Sequence, residues 1–331
     1  MLFRSPEASA VKVVDSTFGW DKVVEQIGWN TSNGASTALE EFGVVSGNVT
    51  YYPVWSEPVY HYNMYIGNIR VTSENADNIL RNGTASYNAE TNTLTLNNFK
   101  YVGEVTNANG YYDNIFAVLY LQTAAAAGDL TINLIGENVI TNTTTVTNDG
   151  QLAAGIYAYA SNASLIFTGT GTLTVTGGNG STDVKTNSAG IVTATANNTY
   201  GETASTGLKV MDDCTITAIG GSAYNSYGMK AGIFKMYAGE LDLVGGTRNN
   251  NEGESLGMSF SGIEELAKRD DCQKYQLIAR SENGKASKNQ LRTTFNVDLY
   301  GDATLITPEQ GTYWIKLSEY KHVKLTWKQS S

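Results

Sequence analysis

The stretch GTGTLTVTGG, residues 169–178, decides the fold. Leu173 and Val175 alternate with Thr172, Thr174 and Thr176, the period-two pattern of a strand with one buried face. Gly177 and Gly178 then turn a corner. The same text recurs. One block runs GIYAYASNASLIFTGTGTLTVTGG (155–178), and a second runs from GIVTATANN at Gly190 through LKVMDDCTITAIGG to Gly221. A third reads GMKAGIFKMYAGELDLVGG (228–246), a fourth start appears in SLGMSF at Gly257, and a looser version reads LYLQTAAAAGDLTINLIGENVITN (119–142).

The first block holds three short strands, Ile156–Tyr159, Ser164–Thr168 and Leu173–Thr176, separated by Ser-Asn and Gly-Thr-Gly corners. A hairpin meander would place two-residue primed turns between longer strands. Three short strands per unit, repeated with the same apolar ladder, instead suit a coil whose turns stack as parallel strands about 4.8 Å apart. The block starts lie 35, 38 and 29 residues apart. A three-strand turn needs roughly 20–25 residues, so the excess is expected to bulge out as loops, at NGSTDVKTNS (179–188) and NNTYGETAST (197–206). Leu173, Val175, Ile216, Ile219, Leu241 and Leu243 are the expected inward residues. An ordinary β-sandwich is the alternative reading.

Composition bounds the function. The formal charge is −10, which argues against a nucleic-acid partner, since such a partner demands clustered Lys and Arg. No apolar run approaches the roughly 18 residues of a membrane-spanning helix. The opening residues MLFRSPEASA carry no charged-then-apolar signal segment, which predicts either a removed signal or release by another route, as for virion proteins at lysis. Cys214 and Cys272 each follow Asp-Asp; a single disulfide and two buried thiols are both open readings, the thiols being favoured. With His61 and His322 the only histidines and no CxxC, neither a metal nor a cofactor is expected.

The flanks carry other text. Residues 27–57 read IGWNTSNGASTALEEFGVVSGNVTYYPVWSE. Gly28, Trp29, Gly34, Phe42, Val45, Gly47, Thr50, Tyr52 and Trp55 match the second half of the Listeria–Bacteroides repeat, the internalin B-repeat module, which this segment resembles. Residues 62–98 read YNMYIGNIRVTSENADNILRNGTASYNAETNTLTLNN; with the GIYA and LTVTGG rungs that follow, they resemble a family of β-helical surface proteins from gut Firmicutes. That resemblance spans about residues 60–260 and implies surface display with an adhesive or carbohydrate-associated role. It carries over no catalytic residue. Ser73 is expected to cap a short helix through Leu80, with Glu74 and Asp77 in its first turn. A second short helix is expected from Ile263 to Lys268. Alternating strands follow to the end, with Phe295, Trp314 and Trp327 supporting a cap over the coil's open end. The reading is therefore all-β: a right-handed parallel β-helix at 59–260, a partial B-repeat-like β module at 1–58, and a β-rich cap or small module at 261–331.

Catalytic constellations are sparse. Parallel β-helices also host lyases and tailspike glycosidases, which need two carboxylates facing one cleft. Asp212 and Asp213 are adjacent and fit a corner better than a catalytic pair, and Asp270 and Asp271 fit solvent. Glu104 and Asp113 flank Tyr111 and Tyr112, a platform on which a sugar face could stack. No GxSxG or phosphate-cradling loop is present, and the irregular Thr-x-Thr spacing does not suit an ice-binding face. No catalytic residue is assigned. The candidate ligand-binding residues are Tyr111, Tyr112, Tyr200, Tyr224 and Tyr227, all in or beside Gly/Asn-rich segments and off the inferred ladder. The expected partner is a glycan or glycoprotein surface, or other envelope or virion proteins, with no nucleic acid and no membrane span; oligomerisation is left open. The expected function is non-catalytic adhesion by a surface-displayed solenoid, and the alternative is a polysaccharide-degrading β-helix.

Overall fold

The computed structural model describes residues 10–15, 20–42, 47–106, 114–123, 128–160, 163–181, 184–193, 195–197, 203–266, 270–292, 297–306 and 314–327. Strands dominate them, and no α-helix occurs among them. The protein is all-β, with parallel and mixed sheets, and neither large sheet closes on itself.

Three parallel ladders organise the repeat region. The first aligns Ile115–Thr123, Leu152–Ala160, Asn187–Thr193, the start of Asn225–Met236, the start of Ser255–Leu266, and Lys285–Ser287. The second aligns Thr93–Asn97, Leu130–Ile135, Ser164–Gly169, Gly207–Val210 and the end of Asn225–Met236. The third aligns Lys100–Gly103, Glu137–Asn142, Thr172–Thr176, Thr215–Ile219, Gly239–Gly245 and Tyr275–Ser281. On successive passes the chain visits the ladders in the same order.

Antiparallel strands close the ladders. Val59–Ile66 runs antiparallel to Ile115–Thr123, Ala85–Asn88 to Thr93–Asn97, and His322–Trp327 to Tyr275–Ser281. Val59–Ile66 also pairs with Trp20–Asn30, so one sheet runs across residue 58, and Ser255–Leu266 runs through residue 260.

Stacked side chains fill the interior. On the third ladder Asn138, Leu173, Ile216, Leu241, Leu277 and Leu325 form one aligned row, and Ile140, Val175, Ala218, Leu243, Ala279 and Val323 the next. All are buried. The expected inward place of Ile219 is corrected: it is half-buried, and Ala218 takes the core position. Strand side chains alternate strictly, so Ile216 inward forces Ala218 inward and Ile219 out.

The glycines that open each block have a steric cause. Gly155, Gly190, Gly228 and Gly257 fall in one row of the first ladder, between the aligned pairs on either side. A Cβ on Gly190 would lie 2.7 Å from the Ile219 amide nitrogen and 2.8 Å from the Gly228 oxygen; on Gly228 it would lie 2.5 Å from the Val244 nitrogen. Here the first and third ladders touch backbone to backbone. The double-glycine corners stack in the same way, the Gly221 and Gly246 positions facing carbonyls of the corner before. Buried serines clip these corners. Ser188 Oγ donates to Gly178 O (2.5 Å) and accepts from Gly221 N (2.7 Å), while Ser226 Oγ donates to Gly221 O (2.7 Å) and accepts from Gly246 N (2.9 Å).

Both expected helices are corrected. Of the first, only Ala76–Asn78 is helical, as a single 3₁₀ turn. Ser73 Oγ instead accepts from Tyr60 N, and Asn75 accepts from Thr72 N while donating to Arg70 O. These polar side chains satisfy local backbone in a turn geometry that competes with helix. Of the second expected helix, residues 263–266 continue a strand aligned with Phe234–Met236, and residues 267–268 lie outside the described residues. Ladder hydrogen bonds to a distant segment override the local helix preference of EEL.

The Asp212–Asp213 pair does turn a corner. Asp212 accepts from Gly169 N at 3.0 Å, and Asp213 accepts from Gln273 N and Lys274 N at 2.9 Å each. Cys214 and Cys272 are buried thiols with no disulfide between them. Between the first and second ladders Thr195–Asn197 pairs antiparallel with Thr203–Ser205, so part of the expected 197–206 insertion is a hairpin. Phe295, Asp113 and the side chains of Trp314 and Trp327 lie outside the described residues.

Candidate functional site: an outer cleft on the first ladder

One outward row of the first ladder reads Tyr65, Tyr120, Tyr157, Val192, Lys230 and Ser259 across consecutive strands. Lys288 extends it, following Ser287, the partner of Met258. The tyrosines pack on one another, Tyr120 and Tyr157 stacked at 5.4 Å and Tyr65 and Tyr120 edge-on at 6.2 Å. Tyr120 and Tyr157 are buried, so their rings supply packing. The row opens where tyrosine gives way to Val192 and Lys230.

There a cleft of about 530 Å³ is lined by Leu152, Val192, Tyr227, Lys230, Phe260 and Lys288, among others. Two of its lining side chains, Tyr227 and Lys288, share one carboxylate. The Tyr227 hydroxyl donates to Glu254 Oε2 at 3.1 Å, and Lys288 Nζ donates to the same oxygen at 3.1 Å. Lys230 Nζ sits 5.2 Å from the Tyr227 ring centroid, within cation–π range. Burial, then the Lys288 charge, lowers the Lys230 pKa, with Glu254 opposing. Burial, then Glu254, holds the Tyr227 phenol above its ordinary value, so it stays a neutral donor. Lys288 also lines a second cleft of about 740 Å³, with Arg248, Glu254, Glu282, Lys285 and Lys321.

Of the expected ligand-binding residues, Tyr111, Tyr112 and Tyr200 lie outside the described residues. Tyr224 is half-buried in the turn before Asn225–Met236, packed beside Gly253. Tyr227 corrects its expected place off the ladder: it lies within Asn225–Met236, only 4% exposed, with its ring under Lys230. It braces the cleft and offers no open ring face. The structure brings Tyr227 together with Lys230, Glu254 and Lys288, none of which the sequence reading selected. A signal was present. The second residue after each block-opening glycine is Tyr157, Val192, Lys230 and Ser259 in turn, which is the outward row itself.

Among the described residues no three His, Cys, Asp or Glu side chains are grouped to hold a metal ion, and no helix is long and apolar enough to cross a membrane. What the site defines is a ladder-borne cleft in which apolar side chains adjoin Lys230 and Lys288. Compared with family models, with curated proteins and with solved structures, the chain finds no match.

Proposed function

We propose that the ladder region read as residues 59–260 is a right-handed parallel β-helix whose last passes run on beyond residue 260, flanked by a β module at 1–58 and capped within 261–331, and that the chain is a non-catalytic adhesin of a bacterial envelope or virion surface. Three ladders visited in fixed order support the helix, and parallel crossovers are right-handed in about 98% of cases. The antiparallel strand His322–Trp327 supports a cap, because it takes up the edge that Tyr275–Ser281 would otherwise expose. The resemblance of 62–98 and of the GIYA and LTVTGG rungs to β-helical surface proteins points to the same setting.

The observation that carries the functional reading is the cleft at Lys230. Solenoids stack rungs for stability and vary one flank for binding, and here one row changes from packed tyrosine to accessible lysine. The half-buried side chains of Ile115 and Leu152 beside charged donors suit a glycan, which presents apolar faces and polar rims together. The test is a glycan array followed by product analysis. Retention of a glycan with no shortening of its chain is the expected result. Release of oligosaccharide fragments would refute the adhesin and favour a depolymerase.

A further inference from the structure

We infer that the two clefts form one continuous track for an acidic polysaccharide, with Lys288 at the junction and Lys230 as the principal anion contact. This rests on the glycan-binding reading above. Lys288 lines both clefts, so they adjoin. Together they gather Lys230, Arg248, Lys285, Lys288 and Lys321 against Glu254 and Glu282, five cations to two carboxylates on a chain of formal charge −10. Such a concentration of one sign in a concave surface raises the local concentration of the opposite charge.

The lysines differ in what they already hold. Lys288 is engaged by Glu254. Lys230 has no carboxylate at ion-pair distance among the described residues; its partner is the Tyr227 ring, and the neighbouring Lys288 charge is repulsive. An incoming carboxylate or sulfate would satisfy Lys230 and relieve that repulsion. Lys230 and Lys288 stand two strands apart in one row, about 9.6 Å between backbones. That spacing asks for acidic groups repeated along an extended ligand. A nucleic acid fits poorly, because its charges, about one per 1.7 Å of duplex, are far denser than two lysines about 9.6 Å apart can match.

The test uses the full chain in low salt, with polygalacturonate, dextran sulfate, neutral dextran and a single-stranded DNA oligomer as probes in affinity electrophoresis. Two double variants are compared, K230Q/K288Q in the clefts and K100Q/K316Q outside them, after thermal melts establish that both fold. The expected result is retardation by polygalacturonate or dextran sulfate over dextran, and those two probes separate carboxylate from sulfate recognition. K230Q/K288Q should lose about tenfold in affinity per lysine, the scale of one charge-assisted hydrogen bond, while K100Q/K316Q stays unchanged. Equal losses in both variants, or DNA bound as tightly as the acidic glycans, would overturn the track. Binding of neutral dextran that ignores both variants would overturn it while leaving glycan adhesion standing. No retardation by any polysaccharide would remove both.

Discussion

Replacing Gly190 with alanine tests the backbone contact that brings two ladders together. The added Cβ would meet Ile219 N at 2.7 Å, Gly228 O at 2.8 Å and Ala218 C at 3.0 Å. Every one of these atoms is backbone, and they belong to two different ladders, so no side chain can rotate away. Reaching an ordinary 3.4 Å contact means opening the Ile219 strand by about 0.7 Å, in an interior where neighbours stacked above and below resist it. Overpacking of a tight interior costs about 1–3 kcal/mol; with three backbone atoms displaced, about 3 kcal/mol is expected. Gly47→Ala is the control, since its Cβ meets nothing within 4 Å. There the loss of unfolded-state entropy leaves stability unchanged or raised by about 0.4–1 kcal/mol. Urea denaturation of both variants, followed by far-ultraviolet circular dichroism, gives the comparison. If G190A unfolds at the parent's midpoint, or G47A falls as far as G190A, the close approach does not explain the repeated glycine.

Three further outcomes are expected. Val175→Asp places a charge at a fully buried position and should cost several kcal/mol, whereas Thr174→Asp on the exposed face should move the melting temperature little; equal shifts would refute the inward assignment. Tyr227→Phe removes one hydroxyl donor to Glu254 and should cost about 1 kcal/mol, while Tyr227→Ala empties a buried site and should cost about 3–5 kcal/mol, so near-equal melting temperatures for the two would contradict the packing role. Burial, then the Asp212 charge, pushes the Cys214 thiol up to about 12 from 9.0. The folded thiol should therefore resist a disulfide reagent at pH 8 that modifies the unfolded chain, and rapid native labelling of Cys214 would count against its burial. Above pH 9 the unfolded chain releases this proton first, so the Cys214 contribution lowers stability as pH rises toward 12.

The sequence made the ladder legible where a strand has both a clear alternation and a glycine corner. Leu173, Val175, Leu241 and Leu243 are inward as expected, and the adjacent carboxylates Asp212 and Asp213 occupy the corner their adjacency implied. It misled where a local preference meets a distant partner. Residues 263–266 carry helix-forming side chains, yet their amides align with Phe234–Met236 some thirty residues earlier. Ile219 looked inward on hydrophobicity alone, but alternation from Ile216 gives that place to Ala218. The cleft was hidden for another reason. Lys230 and Lys288 are ordinary charged residues in the linear text, and they become neighbours only when strands two apart in the first ladder are laid in register. The serine clips share that concealment: Ser188, Ser226 and Ser255, whose Oγ donates to Gly246 O, stand two positions before Gly190, Gly228 and Gly257, a signature that only the corner geometry gives meaning.

The antiparallel strands at the ends of the ladders separate length from termination. Val59–Ile66 and Ala85–Asn88 abut the first passes, and His322–Trp327 abuts the last strand of the third ladder. Between them, each pass pairs its strands only with the pass before and the pass after. In the proposed β-helix a segment such as residues 187–224 can therefore be duplicated or deleted in frame without altering either end, lengthening or shortening the body by one strand spacing of about 4.8 Å. Such a helix is in this sense a gauge: the number of passes sets its reach, and gene duplication adjusts that reach in fixed increments while the two ends are inherited unchanged.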